Sequence, residues 1–247
     1  MPALGTAIAA LRSVAAYVAV SLYVLVAGPI GMLLALVFRW TNILYILGHP
    51  GVSLGTGLAG IRCRVAGRER VPRDRAVIFC ANHQSNVDPP VLYRVLHPRL
   101  HILYKAELHR LPVLGLAFDL AGFVPVDRAN RELAVAAIDR AAHSVREGNS
   151  FLTFPEGTRS RTGALLPFKK GPFILAMKAE APIVPVAVQG GTTAMRKGSP
   201  IIRPVTVSVR IGEPIETAGL KLSERDELVS RVRAAIEGLL AQGEIPG

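Results

Sequence analysis

Residues 76–89 read Ala-Val-Ile-Phe-Cys-Ala-Asn-His-Gln-Ser-Asn-Val-Asp-Pro. The first six are apolar without interruption. A strand with one face in water would alternate, so 76–81 reads as a strand covered on both faces, as in a parallel sheet. The polar run from Asn82 reads as the loop leaving that strand. Asp88-Pro89 reads as the start of a helix, because proline is well placed in a first turn, where its missing N–H is not needed. Strand, polar loop and helix in that order are the repeating unit of an α/β domain.

The same alternation continues on both sides. Residues 150–154 and 183–188 are further apolar runs of strand length, and Val205–Ile211 alternates as a half-exposed strand. Between them, Asn130 caps a predicted helix that runs to Glu147 and stops at Gly148. Ser223 followed by Asp226 resembles a capping box. It precedes an apolar stripe of Leu228, Val232, Ala235 and Leu239, which Gly243 ends. The expected fold is α/β: a mostly parallel or mixed central sheet flanked by helices. The expected units are a membrane-associated helical segment over 1–61, the α/β domain over 62–243, and a frayed tail over 244–247.

The first 61 residues differ in kind. No charged residue lies between Ser13 and Phe38, and after Arg39 none lies between Trp40 and Ile61. Twenty-six uncharged residues would cross about 30 Å of hydrocarbon as a helix. Pro29 should kink or break that helix. His49-Pro50-Gly51, Gly55 and Gly57 interrupt the second stretch. A kinked single span and a pair of helices lying in one leaflet both fit, and a buried core helix is the bland alternative. Arg39 and the basic domain beyond it place the catalytic part on the cytoplasmic face.

The chain carries 29 Lys and Arg against 18 Asp and Glu, a net charge of +11. That balance favours an anionic partner, such as nucleic acid, an acidic membrane or a phosphorylated substrate. The apolar start selects the membrane, and no helix-turn-helix, zinc spacing or interleaved aromatic patch supports nucleic acid. Cys63 and Cys80 both sit in apolar runs, which gives no disulfide framework.

Ligand sites in open α/β sheets form at the carboxyl ends of strands, and four segments with chemical content follow apolar strands here. In Asn82–Asp88, His83 is suited to take a hydroxyl proton near neutral pH. Asp88 is suited to fix its tautomer and stabilise the imidazolium. A separation of five residues puts His83 on a loop and Asp88 at a helix start. Gly122-Phe123-Val124-Pro125-Val126-Asp127-Arg128 ends in arginine, and Phe154-Pro155-Glu156-Gly157-Thr158-Arg159 ends in a turn followed by arginine. Arginine suits bidentate phosphate recognition. Lys105 follows another apolar strand and is a further candidate cation. Ile183-Val184-Pro185-Val186 carries no polar side chain and reads as architecture or as the lining of an acyl groove.

Taken together and in this order, the four segments resemble those of the lysophosphatidate (1-acylglycerol-3-phosphate) acyltransferase family. The resemblance covers roughly residues 62–215 and includes Leu166-Pro167-Phe168-Lys169-Lys170-Gly171. It departs from the family only in having Val-Pro where many members are isoleucine-rich. It implies an α/β fold, a membrane setting, and transfer of a fatty acyl group from acyl-CoA or acyl-carrier protein to the free hydroxyl of lysophosphatidate. It implies His83 and Asp88 as the catalytic pair. Lys105, Arg128 and Arg159 become the phosphate cations, with Glu156, Gly157 and Thr158 on the substrate-binding turn. No metal and no cofactor beyond the thioester co-substrate is implied. Backbone amides after His83 or near Glu156-Gly157 are the expected oxyanion donors. Cys80 as a nucleophile, a sister enzyme with another acceptor, and a lipid-binding protein on an inactive scaffold are the competing readings. Asp127 is expected to pair with a nearby arginine, and Arg196-Lys197 and Lys169-Lys170 to be solvated or membrane-facing, with contact to the anionic substrate or acyl donor as the alternative.

Overall fold

The structure is a computed structural model and describes residues 2–127 and 129–246. Two long helices come first, α1 (Pro2–Phe38) and α2 (Asn42–Ala59), followed by β1 (Ile61–Ala66). Then come β2 (Ile78–Ala81), α3 (Asp88–Val95), β3 (Leu100–Lys105), α4 (Pro112–Leu120), β4 (Val124–Val126), α5 (Arg131–Arg146) and β5 (Ser150–Thr153). The chain continues through α6 (Gly171–Ala179), β6 (Ile183–Gln189), the short α7 (Gly191–Ala194), β7 (Val205–Ile211) and α8 (Arg225–Ala241).

Among the described residues, seven strands form one sheet in the order β1-β7-β6-β2-β5-β3-β4. The pairs β2–β5, β2–β6, β3–β5, β3–β4 and β1–β7 are parallel, and only β6–β7 is antiparallel. The sheet is therefore mixed, with β7 and β1 running against the other five. β2 lies near the centre, and its carboxyl end delivers the 82–88 loop.

Burial on both faces explains the uninterrupted apolar run. Successive side chains in a strand point to opposite faces. Phe79 and Ala81 pack with Val184, Val186, α3 and α2, while Ile78 and Cys80 pack with Phe151, α5, α6 and α8. β7 is less exposed than its alternation suggests. Ser208 is buried because its hydroxyl accepts a hydrogen bond from Ile245 N at 2.9 Å. The expected frayed tail is thus tied down, since Arg64 also donates to Ile245 O and Arg210 to Gly243 O. A 3-10 turn at Leu222–Glu224 precedes α8, so the reciprocal cap falls between Lys221 and Glu224 rather than at Ser223. The buried stripe of α8 runs through Ile236 in place of Ala235.

The apolar start forms a helical hairpin. α1 continues through Pro29 and α2 through Pro50, so neither proline ends its helix. The chain reverses at Arg39, whose φ is +53°. The glycines of α2 act as contact points and not as breaks. A Cβ on Gly51 would sit 2.8 Å from the Tyr23 ring, and one on Gly55 2.7 Å from Val20. α2 packs on the domain through Tyr45, which donates to Ala121 O, and His49, which bonds Pro98 O at 3.0 Å. α1 docks through Ser13 and Tyr17, which bond Ile202 and Pro200 of the segment before β7. Its outer side is bare: Leu4–Phe38 is long and apolar enough to cross a membrane, and only 17% of its apolar window is buried. That rules out the core-helix alternative.

Candidate active site

The site grows from the loop after β2. Asn82 continues the sheet with its side chain: its amide donates to Val188 O at 2.9 Å and accepts from Val188 N at 2.7 Å. This fixes the loop to β6 one residue before His83. Asp88 is completely buried at the start of α3. Its Oδ2 accepts three hydrogen bonds, from His83 Nδ1 at 2.9 Å, Gln84 N at 2.6 Å and Ser85 N at 2.7 Å. The carboxylate therefore folds the loop around itself and holds the imidazole at the same time. His83 is also stacked on Phe154, with centroids 4.1 Å apart, and its side chain keeps 15% exposure. With Nδ1 bonded to Asp88, Nε2 is the nitrogen left to face a substrate.

Asp88 Oδ1 and Gln84 Oε1 are buried with no hydrogen-bond donor among the described residues, and both lie against Gly191. A Cβ at Gly191 would stand 2.5 Å from Asp88 Oδ1. The first residue of α7 must therefore be glycine for the carboxylate to keep its place. Ser85 closes the arrangement by donating to Met195 O at 2.9 Å.

The turn after β5 is joined to this loop by Glu156, which is 3% exposed. One carboxylate oxygen accepts from His83 N at 2.7 Å and the other from Leu166 N at 2.9 Å. Each oxygen holds one amide, so Glu156 clamps the two loops together. Burial pushes its pKa up against the opposing pull of those two amides. Ser160 N donates to His83 O at 2.8 Å and completes the seam.

Four of the amides near the expected oxyanion position are engaged. The amides of His83, Gln84 and Ser85 bond carboxylates, and Gly157 N bonds Phe154 O at 3.0 Å. Among the described residues Asp127 has no arginine partner; its Oδ1 accepts from Ala129 N and Asn130 N and caps the turn into α5. Arg128 lies outside the described residues. Lys105 ends β3, exposed and paired with Glu107 at 2.8 Å. Thr158 is exposed, and with the Arg159 carbonyl it receives Lys197 Nζ. Cys80 is fully buried and its thiol is pushed up to about 12 by desolvation, so it supplies no thiolate near neutral pH.

His101 is buried and structural. Burial lowers its pKa to about 4, and its ring fills the space over Gly122, where a Cβ would lie 2.5 Å away. This contact, with φ +75°, gives Gly122 its place ahead of the Arg128 segment. Asn82, Gln84, Ser85 and Gly191 were not named as site residues. Their roles lie in side-chain-to-backbone bonds and one close approach, which leave no motif of their own.

An apolar cavity of about 320 Å³ opens beside Pro89 and Pro90, next to Asp88, and runs between the hairpin and α4. Tyr23, Leu44, Tyr93, Ile102 and Phe118 are among its walls.

Comparison with known proteins places these features in context. Residues 62–189 match the family model described as acyltransferase. The chain is 32% identical over 207 residues to a 1-acyl-sn-glycerol-3-phosphate acyltransferase of Limnanthes douglasii, covering 82% of this chain and 73% of the relative. It is 34% identical over 178 residues to the human 1-acyl-sn-glycerol-3-phosphate acyltransferase beta, covering 72% and 64%. The crystal structure of the 1-acyl-sn-glycerophosphate acyltransferase from Thermotoga maritima superimposes with a TM-score of 0.82 over 98% of this chain and 99% of that one. At 24% identity, this last likeness speaks for the fold alone.

Proposed function

The chain belongs to the acyltransferase family, and on that footing we propose that it moves a fatty acyl group from a thioester, acyl-CoA or acyl-carrier protein, to the free hydroxyl of lysophosphatidate, giving phosphatidate. The observation that carries this reading is the 2.9 Å bond between His83 Nδ1 and a wholly buried Asp88. It leaves Nε2 basic and aimed outward, as a hydroxyl nucleophile requires.

The acceptor hydroxyl gives its proton to His83 Nε2 as its oxygen attacks the thioester carbonyl. Asp88 stabilises the imidazolium that forms, without taking its proton. The tetrahedral intermediate collapses by breaking the C–S bond. The thiolate leaves and recovers the proton from His83, returning the enzyme to its starting state. A thiol is an easy leaving group, since its pKa is only about 8.5. Lys105, Arg128 and Arg159 hold the acceptor phosphate, and the apolar cavity beside Pro89 takes an acyl chain.

The bare side of α1 supports membrane binding. Both helices of the hairpin are also bonded to the domain, at Ser13, Tyr17, Tyr45 and His49. A hairpin held against the domain along its length lies in one leaflet, here the cytoplasmic one, with its outer side in the acyl chains. An impermeant maleimide added from the opposite side should leave Trp40→Cys unlabelled, and labelling from that side would argue for a span.

The reaction is tested by mass spectrometry of products from the purified, detergent-solubilised protein. The acceptors offered would be lysophosphatidate, glycerol-3-phosphate and a lysophosphatidylcholine. Phosphatidate should form with the highest kcat/KM. A higher kcat/KM for another acceptor would reassign the substrate.

A further inference from the structure

Two loops bonded to the His83 loop form a basic basin. Arg161 contributes one wall, just after the turn that follows β5. Thr192, Thr193, Arg196, Lys197 and Arg203, all between β6 and β7, contribute the other. The cavity they enclose measures about 750 Å³. No carboxylate lines it. Among the described residues, none of the four cations makes an ion pair, although Arg70, Arg75, Lys105, Lys170 and Lys178 do elsewhere on the surface. Four like charges left around one hollow repel each other and raise the local potential, which an anion of high charge relieves.

The basin is built into the site. Met195 O, one residue before Arg196, accepts from Ser85 of the His83 loop. Ser160 N, one residue before Arg161, donates to His83 O. Lys197 is fixed to Thr158 and to the Arg159 carbonyl at 3.1 and 3.0 Å. The basin is therefore joined to the loop that carries the base, through the loop after β5 and the segment after β6. Lys105 ends β3 and is not part of the basin's lining. The four basin cations are thus distinct from Lys105.

We propose that the basin binds the 3′-phosphorylated ADP end of a coenzyme A thioester, which makes acyl-CoA the donor. The inference rests on the acyl-transfer reading above and extends it from the reacting carbonyl to the far end of the donor. Charge count and shape support the assignment. Lysophosphatidate brings one phosphate, whereas coenzyme A brings three, and the larger cation group is the one in the hollow. A hollow with threonine hydroxyls between its cations suits a small polyphosphate, which accepts from both. A carrier protein would instead present a convex acidic surface and a single phosphodiester.

The test uses the full chain in detergent, with Arg196→Ala/Arg203→Ala beside wild type. The probe 3′,5′-ADP should inhibit wild type competitively against acyl-CoA. In the double variant its inhibition constant and the KM for acyl-CoA should each rise about tenfold or more. The kcat and the KM for lysophosphatidate should stay unchanged. Acyl-dephospho-CoA, which lacks the 3′-phosphate, should be penalised less by the same substitutions.

A rise in the lysophosphatidate KM alone would assign the basin to the acceptor and overturn the proposal. So would a rise confined to an acyl-carrier-protein donor. Calorimetric binding of 3′,5′-ADP to His83→Ala separates this proposal from the reaction. Binding that depends on Arg196 upholds the basin even if no lysolipid is acylated. Normal transfer from acyl-CoA with no binding of 3′,5′-ADP overturns the basin alone.

Discussion

The loop that leaves β2 and the segment that leaves β6 start from adjacent strands and end against each other, yet they treat polar groups in opposite ways. In the 82–88 loop most polar atoms are committed, Asp88 Oδ1 and Gln84 Oε1 excepted: Asp88 Oδ2 accepts three hydrogen bonds, and Asn82 is spliced into β6. In the 191–204 segment three cations face a cavity without a counter-charge. The first arrangement suits a group that must hold its geometry while a proton moves, because small misplacements of reacting atoms are costly. The second suits a group that waits for a charged ligand. Fixed partners mark the chemistry, and unsatisfied charge marks the binding.

That contrast predicts where substitutions act. Asp88→Asn keeps the size but removes the charge that stabilises the imidazolium, and an amide cannot accept all three bonds at one oxygen. Its kcat should fall on the order of 10³-fold, read from thiol release at saturating substrates, with little change in either KM. Gly191→Ala drives a methyl into Asp88 Oδ1 without touching His83. A kcat loss of about 10- to 100-fold is expected, and unchanged kcat would mean that Asp88 is free to shift. Either result refines how rigid the loop must be.

His101 carries the pH dependence. Its pKa is lowered to about 4 in the folded state, against about 6.5 in an unfolded chain. Between those values the unfolded chain binds the proton and the native one does not. Stability is therefore lost as pH falls from about 6.5 towards 4, by an amount on the order of 2 kcal/mol. Thermal melts across that window should slope less steeply for His101→Gln, whatever its absolute Tm. A smaller effect is expected at Lys105, which is exposed and paired only with Glu107. Lys105→Ala should change stability by less than about 1 kcal/mol while raising the KM for lysophosphatidate several-fold. A KM change for the thioester instead would place the donor at Lys105 and undo its separation from the basin.

Much of the fold was readable because the strands follow simple burial rules. The run at 76–81 announced a strand with both faces covered, and Asn130 and Gly148 marked α5 at both ends. The antiparallel turn of β7 was not readable, since strand direction is set by how the connection packs and not by side-chain pattern. Gly51 and Gly55 of α2 read as breaks when only local propensity is considered, but they are the points where α1 comes close.

At the site, His83 and Asp88 were legible as a pair, and the structure brings them into contact. Glu156 was legible as important, but its actual partners are two backbone amides, which no sequence pattern displays. The basic basin joins residues 161 and 203, too far apart in sequence for charge spacing to connect them. Arg196-Lys197, read as solvated charge, forms one of its walls.

The most direct test is acceptor-dependent thiol release from acyl-CoA by the purified protein in detergent, with lysophosphatidate as acceptor and His83→Ala alongside. His83 acting as the base predicts a fall in kcat on the order of 10³-fold or more, with the variant still folded and membrane-bound. Release within about tenfold of wild type in that variant would contradict the account, because Asp88, the other basic group of this loop, is wholly buried and out of reach of a substrate hydroxyl.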